Sequence, residues 1–248
     1  MEIVVSTWNV NGIRARKEQV LDFLESEQPS ILLLQEVKAS AEHVPLDLRE
    51  HPGYWSFWHG AGGYSGVAAL VRKEHFPDPP SISHPPFDFE NRALILDGVF
   101  GRVVSLYVPN GGKDFEAKLR FLQELRNWAA EERRPVLLAG DLNVARSERD
   151  VHPKERKPGQ IGTRPEERAL LEGLLDRGFD DLGRRFDPDN DGLFTWWAPW
   201  RNLRARNIGW RIDYLLANRT LAERARGSQV RSGFGTSDHA PVVASFEG

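Results

Sequence analysis

Ile31-Leu32-Leu33-Leu34-Gln35-Glu36 is apolar for four residues and then stops at an amide and a carboxylate. So short a run, apolar at every position, reads as a strand buried on both faces. Four other stretches are built alike: Trp8-Asn9-Val10-Asn11, Gly140-Asp141-Leu142-Asn143, Arg211-Ile212-Asp213 and Ser237-Asp238-His239. Strands packed in a core project their ends to one edge, where acids that are costly to bury can face water, a cation or each other. The five stretches together predict a sheet whose rim carries a metal-dependent phosphate site.

Outward from that strand, strands alternate with helices. Ile3 to Trp8 reads as a first strand, and Arg14 to Glu27 as a helix with Val20, Phe23 and Leu24 on one face, stopped by Pro29. Strands are expected over Val67 to Val71, Leu94 to Val99 and Val103 to Val108, the last two joined at Gly101-Arg102 as a hairpin. Phe115, Leu119, Leu122, Leu125 and Ala129 recur at helical spacing, and Val136 to Ala139 is another buried strand. Pro165-Glu166-Glu167 opens a helix that reaches Gly178, with proline and acids placed to suit its first turn. Strands return at Ile212 to Ala217 and Val242 to Phe246. The five prolines between Pro77 and Phe89 mark a surface loop rather than a linker, because motif residues lie on both sides of it. One domain over residues 1–248 is therefore expected.

Composition narrows the class. The chain has 248 residues, 40% hydrophobic and 28% charged, which is ordinary for a globular protein. It has no cysteine, so neither disulfides nor thiolate metal sites contribute, and a reducing cytoplasm suits it. No signal peptide or membrane-spanning run is visible, and a monomer with no membrane partner is expected. A net charge of −3 argues against a broad polyanion-binding face, but the local distribution overrules the average. From Leu193 to Ile212 there is no acid, while Arg201, Arg204, Arg206 and Arg211 interleave with Trp196, Trp197, Trp200 and Trp210.

The polar strand ends have chemistry in common. Asn9 and Asn11 share the period-two face of a strand end, as do Asp141 and Asn143, so each pair can converge on one place. Both pairs are also ordinary caps of turns and helices. Hard cations such as Mg²⁺ take oxygen from one or two carboxylates, a need that Glu36 and Asp238, helped by an amide, would meet. Asp141 could orient and deprotonate a water while Asn143 holds it. His239, set between an acid and a proline, could pair one ring nitrogen with Asp213 and present the other to a phosphate.

These residues also carry a family pattern. Thr-Trp-Asn-Val-Asn-Gly-Ile-Arg (7 to 14), Leu-Gln-Glu-Val-Lys (34 to 38), Gly-Tyr-Ser-Gly-Val (63 to 67), Tyr-Val-Pro-Asn (107 to 110), Gly-Asp-Leu-Asn-Val (140 to 144), Pro-Glu-Glu-Arg (165 to 168), Asn-Ile-Gly-Trp-Arg-Ile-Asp-Tyr (207 to 214) and Ser-Asp-His-Ala-Pro (237 to 241) follow in order. The set resembles the exonuclease III family of abasic-site endonucleases, nearly end to end. The segment from Asp150 to Arg164 matches only loosely, and Gly162-Thr163 lacks an aromatic often found before Pro-Glu-Glu-Arg.

The resemblance implies an α/β fold, a four-layered sandwich of two mixed sheets packed face to face with helices outside. It implies a Mg²⁺-dependent phosphodiesterase, with Mn²⁺ as substitute, that cuts duplex DNA 5′ to abasic sites and acts on blocked 3′ ends through 3′-5′ exonuclease or 3′-phosphodiesterase activity. By motif position Glu36, Asn11 and Asp238 hold the metal, with Asp141, Asn143 and His239 available to a second ion. Tyr107, Asp141, Asn143, Asp213 and His239 form the catalytic set, and Asn9, Asn110 and Lys113 contact phosphate. Trp196, Trp210 and Ile212 form an apolar slot for a flipped abasic sugar, and Arg201, Arg204 and Arg206 hold the neighbouring backbone. Another phosphodiesterase of the same superfold and a non-catalytic DNA-binding module are the alternatives.

Overall fold

The apolar strands divide their side chains between two cores. In the computed structural model, which describes residues 1–98 and 100–248, Ile31 and Leu33 point into one cluster and Leu32 and Leu34 into another. Leu137 and Ala139 likewise face inward with Ile31, while Val136 and Leu138 face a third cluster. Each fully buried Leu or Val stabilises the fold by roughly 1.5–3 kcal/mol, so a strand that fills two cores is held twice.

In chain order the elements are β1 (Glu2–Asn9), α1 (Ile13–Ser26), β2 (Ile31–Gln35), α2 (Leu46–Arg49), β3 (Tyr54–His59), β4 (Val67–Arg72), β5 (Ser81–Ser83) and β6 (Ala93–Asp97). There follow β7 (Arg102–Tyr107), α3 (Phe115–Glu131), β8 (Val136–Asp141), α4 (Pro165–Leu175), β9 (Phe179–Asp181) and α5 (Leu182–Phe186). The chain closes with β10 (Asp213–Asn218), α6 (Arg219–Ala222), β11 (Ala225–Val230) and β12 (Val242–Glu247).

Two six-stranded mixed sheets result, in the orders β11-β12-β1-β2-β4-β3 and β5-β6-β7-β8-β10-β9. Their inner faces make the central core, α1 covers the outer face of the first, and α3 and α4 cover that of the second. This is the four-layered α/β sandwich that the sequence resemblance implies. In each sheet one pair is parallel, β1 with β2 and β7 with β8, and a helix makes the crossover. The carboxyl ends of both pairs, at Asn9, Gln35, Tyr107 and Asp141, are the edge where α/β sheets bind ligands. Gly140 is required just before that edge. Its φ is +146°, and a Cβ there would run into the Leu106 carbonyl of the neighbouring strand.

Some elements differ from expectation. The strand predicted over Leu94 to Val99 is found as Ala93–Asp97, and Val99 lies outside the described residues. The proline-rich segment is not all loop: Ser81–Ser83 pairs with β6 on one side only, and an edge strand tolerates prolines around it. β3 and β11 were not anticipated either. Trp55, Ser56, Phe57, Trp58 and His59 of β3 are only half-buried, and β11 is Ala-Arg-Gly-Ser-Gln-Val, so neither shows the buried-run signal.

Candidate active site

Three of the residues that line the rim sit in left-handed backbone just past a strand. Asn11 has φ +46°, Glu36 +50° and Asn143 +53°. Asparagine enters that region readily, but for Glu36 the conformation is strained and is held from outside. Its carbonyl accepts from Gly12 N at 2.7 Å, and the next amide, Val37 N, donates to Gly66 O at 3.0 Å. The turn aims a half-buried carboxylate back across the sheet ends.

Asn9 joins the two sheets. Its Nδ2 donates to Glu36 Oε1 and to Asp141 Oδ2, each at 2.9 Å, while its Oδ1 accepts from Asn11 N at 3.0 Å. Asn9 is fully buried, so the expected direct phosphate contact is replaced by a positioning role between two acids. Asp141 is pinned from the other side by Asn143 N at 2.9 Å and Asn143 Nδ2 at 3.3 Å. Burial raises the Asp141 carboxyl to about 7; Asp213 and Glu36 add to the rise, and His239 and Asn9 oppose it.

His239 Nδ1 lies 2.9 Å and 3.0 Å from the two oxygens of Asp213, and its Nε2 is 3.8 Å from Asp141 Oδ2. Burial would lower its pKa, but Asp213, Asp141 and Asp238 outweigh that and raise it to about 10. At neutral pH the ring is a cation whose Nδ1–H serves Asp213 and whose Nε2–H faces the site. Asp213 is itself fixed by Thr195, whose Oγ1 accepts from Ile212 N and Asp213 N at 3.1 Å each.

Glu36, Asp141 and His239 bring polar atoms within 4.8 Å of one another, and with the ring protonated it is the carboxylate oxygens that a metal ion there would meet. Lys38 Nζ already lies 2.7 Å from Glu36 Oε2 and donates to Asn11 Oδ1 at 2.6 Å, so a positive charge is accommodated there. Burial would raise Glu36, but Lys38, Asn9 and His239 hold it below its usual value. Asp238 joins this group through Asn11 Nδ2 at 2.9 Å and accepts from Trp196 Nε1 at 2.9 Å on its other oxygen. Oxygen-rich donors, two carboxylates and an amide fit a hard divalent cation.

One cavity of about 410 Å³ gathers most of the expected residues. Glu36, Tyr107, Asn110, Asp141, Asn143, Asp238 and His239 line it together with Trp196, Trp210 and Ile212. The two tryptophan rings meet edge to face at 6.0 Å. Burial, with Glu36 and Asp141 beside it, pushes the Tyr107 hydroxyl up and keeps it protonated. Lys113 lies in the adjoining hollow with Tyr64 and Arg92, its ammonium 5.4 Å from the Tyr64 ring.

The arginine-rich loop divides. Arg201 and Arg206 are exposed beside the exposed Trp200, as expected of phosphate contacts. Arg204 is not free for that role. Its Nε donates to Ser232 O, its Nη1 to Gly235 O and Ser237 O, and its Nη2 to Phe234 O, so it clamps the loop before Asp238. Trp197 stacks under that guanidinium and is core.

Sequence reading missed the supports. Lys38 follows Glu36 by two and shares its face, a signal that was legible. Lys118 and Glu167 are both fully buried, 2.5 Å apart, and Lys118 donates to Asn143 O at 2.7 Å while Glu167 accepts from Gly162 N at 2.5 Å. They shape the Asn143 turn and the Ile161-Gly162 wall of the cavity. A lysine on an otherwise amphipathic helix carries no mark of such a partner.

The model of the Endonuclease/Exonuclease/phosphatase family matches residues 6–239. An exodeoxyribonuclease of Bacillus subtilis is 33% identical over 243 residues, covering 95% of this chain and 96% of that protein. Among solved structures, an AP endonuclease from Archaeoglobus fulgidus superposes with a TM-score of 0.88 at 28% identity, covering 99% of this chain and all of that one. A 3′-5′ exonuclease from Neisseria meningitidis superposes with a TM-score of 0.91 at 28% identity, with the same coverage.

Proposed function

We propose, from the premise that this chain belongs to the endonuclease/exonuclease/phosphatase family and groups there with exodeoxyribonuclease III, that it is a DNA repair phosphodiesterase. It cuts the backbone on the 5′ side of abasic sites in duplex DNA and removes blocked 3′ ends. The observation that carries this reading is the single cavity with an acidic, histidine-bearing end and an aromatic end. A sugar without its base is small and partly apolar, so a slot walled by Trp196, Trp210 and Ile212 admits it and turns a full nucleotide away.

The geometry supports the following roles. Asp141 accepts a proton from the attacking water, a task suited to a carboxylate whose pKa lies near neutrality. Water oxygen bonds to phosphorus, the bond to the upstream O3′ breaks, and the O3′ leaves with the electron pair. His239 Nε2–H and the Tyr107 hydroxyl donate to phosphoryl oxygens as negative charge builds, aligned before the reaction starts. Asn143 and Asn110 hold the water and the phosphate. Glu36, Asn11 and Asp238 would hold Mg²⁺, with Mn²⁺ as substitute, and the bound ion would supply Lewis-acid stabilisation of the phosphoryl charge. Arg201 and Arg206 grip the backbone without regard to sequence.

Residues 1–248 are expected to act as one domain and as a monomer; the one-domain reading is supported by Ser237 Oγ, beside His239, donating to Asn9 O across 228 residues of sequence. The direct test is a duplex with one tetrahydrofuran abasic analogue, incubated in Mg²⁺ and in EDTA. Metal-dependent incision at the lesion is expected. An intact strand, or cutting spread evenly over undamaged DNA, would count against the proposal.

A further inference from the structure

A second cluster of metal-ligating side chains lies outside the cavity, where the two sheets meet at one flank. His59 is the last residue of β3, the edge strand of the first sheet; His84 directly follows β5, the edge strand of the second. Asp88 comes from the loop that leads on to β6. One donor atom from each of the three lies within 4.8 Å of the others. The two imidazoles are stacked with centroids 3.8 Å apart and planes 25° from parallel, and His59 Nε2 is 2.6 Å from Asp88 Oδ2.

The surroundings of these groups are those of a built site. Asp88 Oδ1 accepts from Arg92 N at 2.8 Å and Ala93 N at 2.9 Å, which fixes the carboxylate and leaves Oδ2 toward His59. His84 Nδ1 lies 3.1 Å from Ala93 O, so it carries the proton and Nε2 keeps its lone pair. A backbone carbonyl on the far ring nitrogen is the usual way a ligating histidine is oriented.

We propose that His59, His84 and Asp88 bind one divalent transition-metal ion, Zn²⁺ above all, that clips the edges of the two sheets together. Two imidazoles and one carboxylate favour zinc and its neighbours over Mg²⁺, which prefers an all-oxygen shell and keeps its waters. Three protein ligands with one position left to water is a common zinc arrangement. The ion would also steady the 84–93 loop, whose Arg92 guanidinium lies 4.7 Å over the Tyr107 ring.

The experiment uses the untagged full chain stripped with chelator, then equilibrated with Zn²⁺ in excess Mg²⁺, with bound zinc counted and the thermal transition recorded. Wild type should retain one zinc per chain and melt higher with zinc than without it, because an ion that binds only the folded state stabilises it. His84→Ala, at an exposed position, should bind that zinc about 10-fold or more weakly and lose the zinc-dependent rise. His59→Gln is the second variant, and should behave alike. Glu36→Gln, in the other cluster, should keep the zinc. No zinc on wild type, or zinc kept by both histidine variants, overturns the proposal; so does zinc lost from Glu36→Gln alone, since the ion would then belong to the cavity.

Discussion

Asp141 shows how one residue takes its chemistry from its neighbours. Between two amides, under an imidazolium and beside two carboxylates, it cannot keep a solution pKa. Asp141→Asn should therefore lower incision roughly 100- to 10,000-fold while leaving DNA affinity nearly unchanged, measured as kcat against KM. Unchanged turnover would remove Asp141 from the reaction. The two shifted groups also define a pH profile. Asp141 must be ionised, so the rate falls in acid with a limb no higher than about pH 7, because bound Mg²⁺ can only lower it further. His239 must be protonated, so the rate falls again toward about pH 10. Activity level from pH 5 to pH 11 would contradict both assignments. At the slot, Ile212→Ala should widen the apolar end and weaken discrimination of abasic from undamaged DNA by about 10-fold, since a few methyl groups are worth roughly 1–3 kcal/mol.

At the scale of elements, the loops that carry the rim are held by buried ion pairs rather than by sheet pairing. Arg211, just before β10, reaches Asp150 at 2.7 Å and Asp181 at 2.8 Å, and Arg184 of α5 adds a second contact to Asp150 at 2.7 Å. Burial would raise the Asp150 carboxyl, yet the two arginines hold it at about 2. A depressed carboxylate contributes stability that is present above its unfolded pKa and disappears as pH falls through the folded value. About 2 kcal/mol should thus be lost between pH 4 and pH 2, and Asp150→Asn should abolish that part of the slope in urea melts. Lys118 and Glu167 act the same way on the Asn143 turn, and Lys118→Met should cost roughly 3–5 kcal/mol because it strands a buried carboxylate. A loss below 1 kcal/mol would mean that water reaches Glu167. The helices and central strands that position these pairs were legible, because Val20, Phe23 and Leu24, or Leu122, Leu125 and Ala129, announce a face. The pairs themselves were not, since charge on a helix gives no sign of whether a partner waits 49 residues away.

Across the whole molecule, β1 and β12 pair along six residues, Glu2 with Glu247 to Thr7 with Val242, so the first and last strands lie side by side inside one sheet. Unfolding should then be a single cooperative transition, with calorimetric and van't Hoff enthalpies in agreement, and two resolved transitions would refute a single domain. The sequence determined the buried strands and the polar ends that meet at the rim, because an apolar run and its polar stop are local properties of a strand; its family resemblance implied the sandwich class and ten of the cavity residues, but not Gly112, Gln160, Ile161 and Gly162. Only the tertiary structure decided that Asn9 braces acids, that Arg204 is spent on four carbonyls, and that His59 and His84 of two different sheets stack against each other. Those outcomes depend on which chain segments pack side by side, and side-chain partners 25 to 132 residues apart are chosen by that packing, not by the residues next to them in the chain.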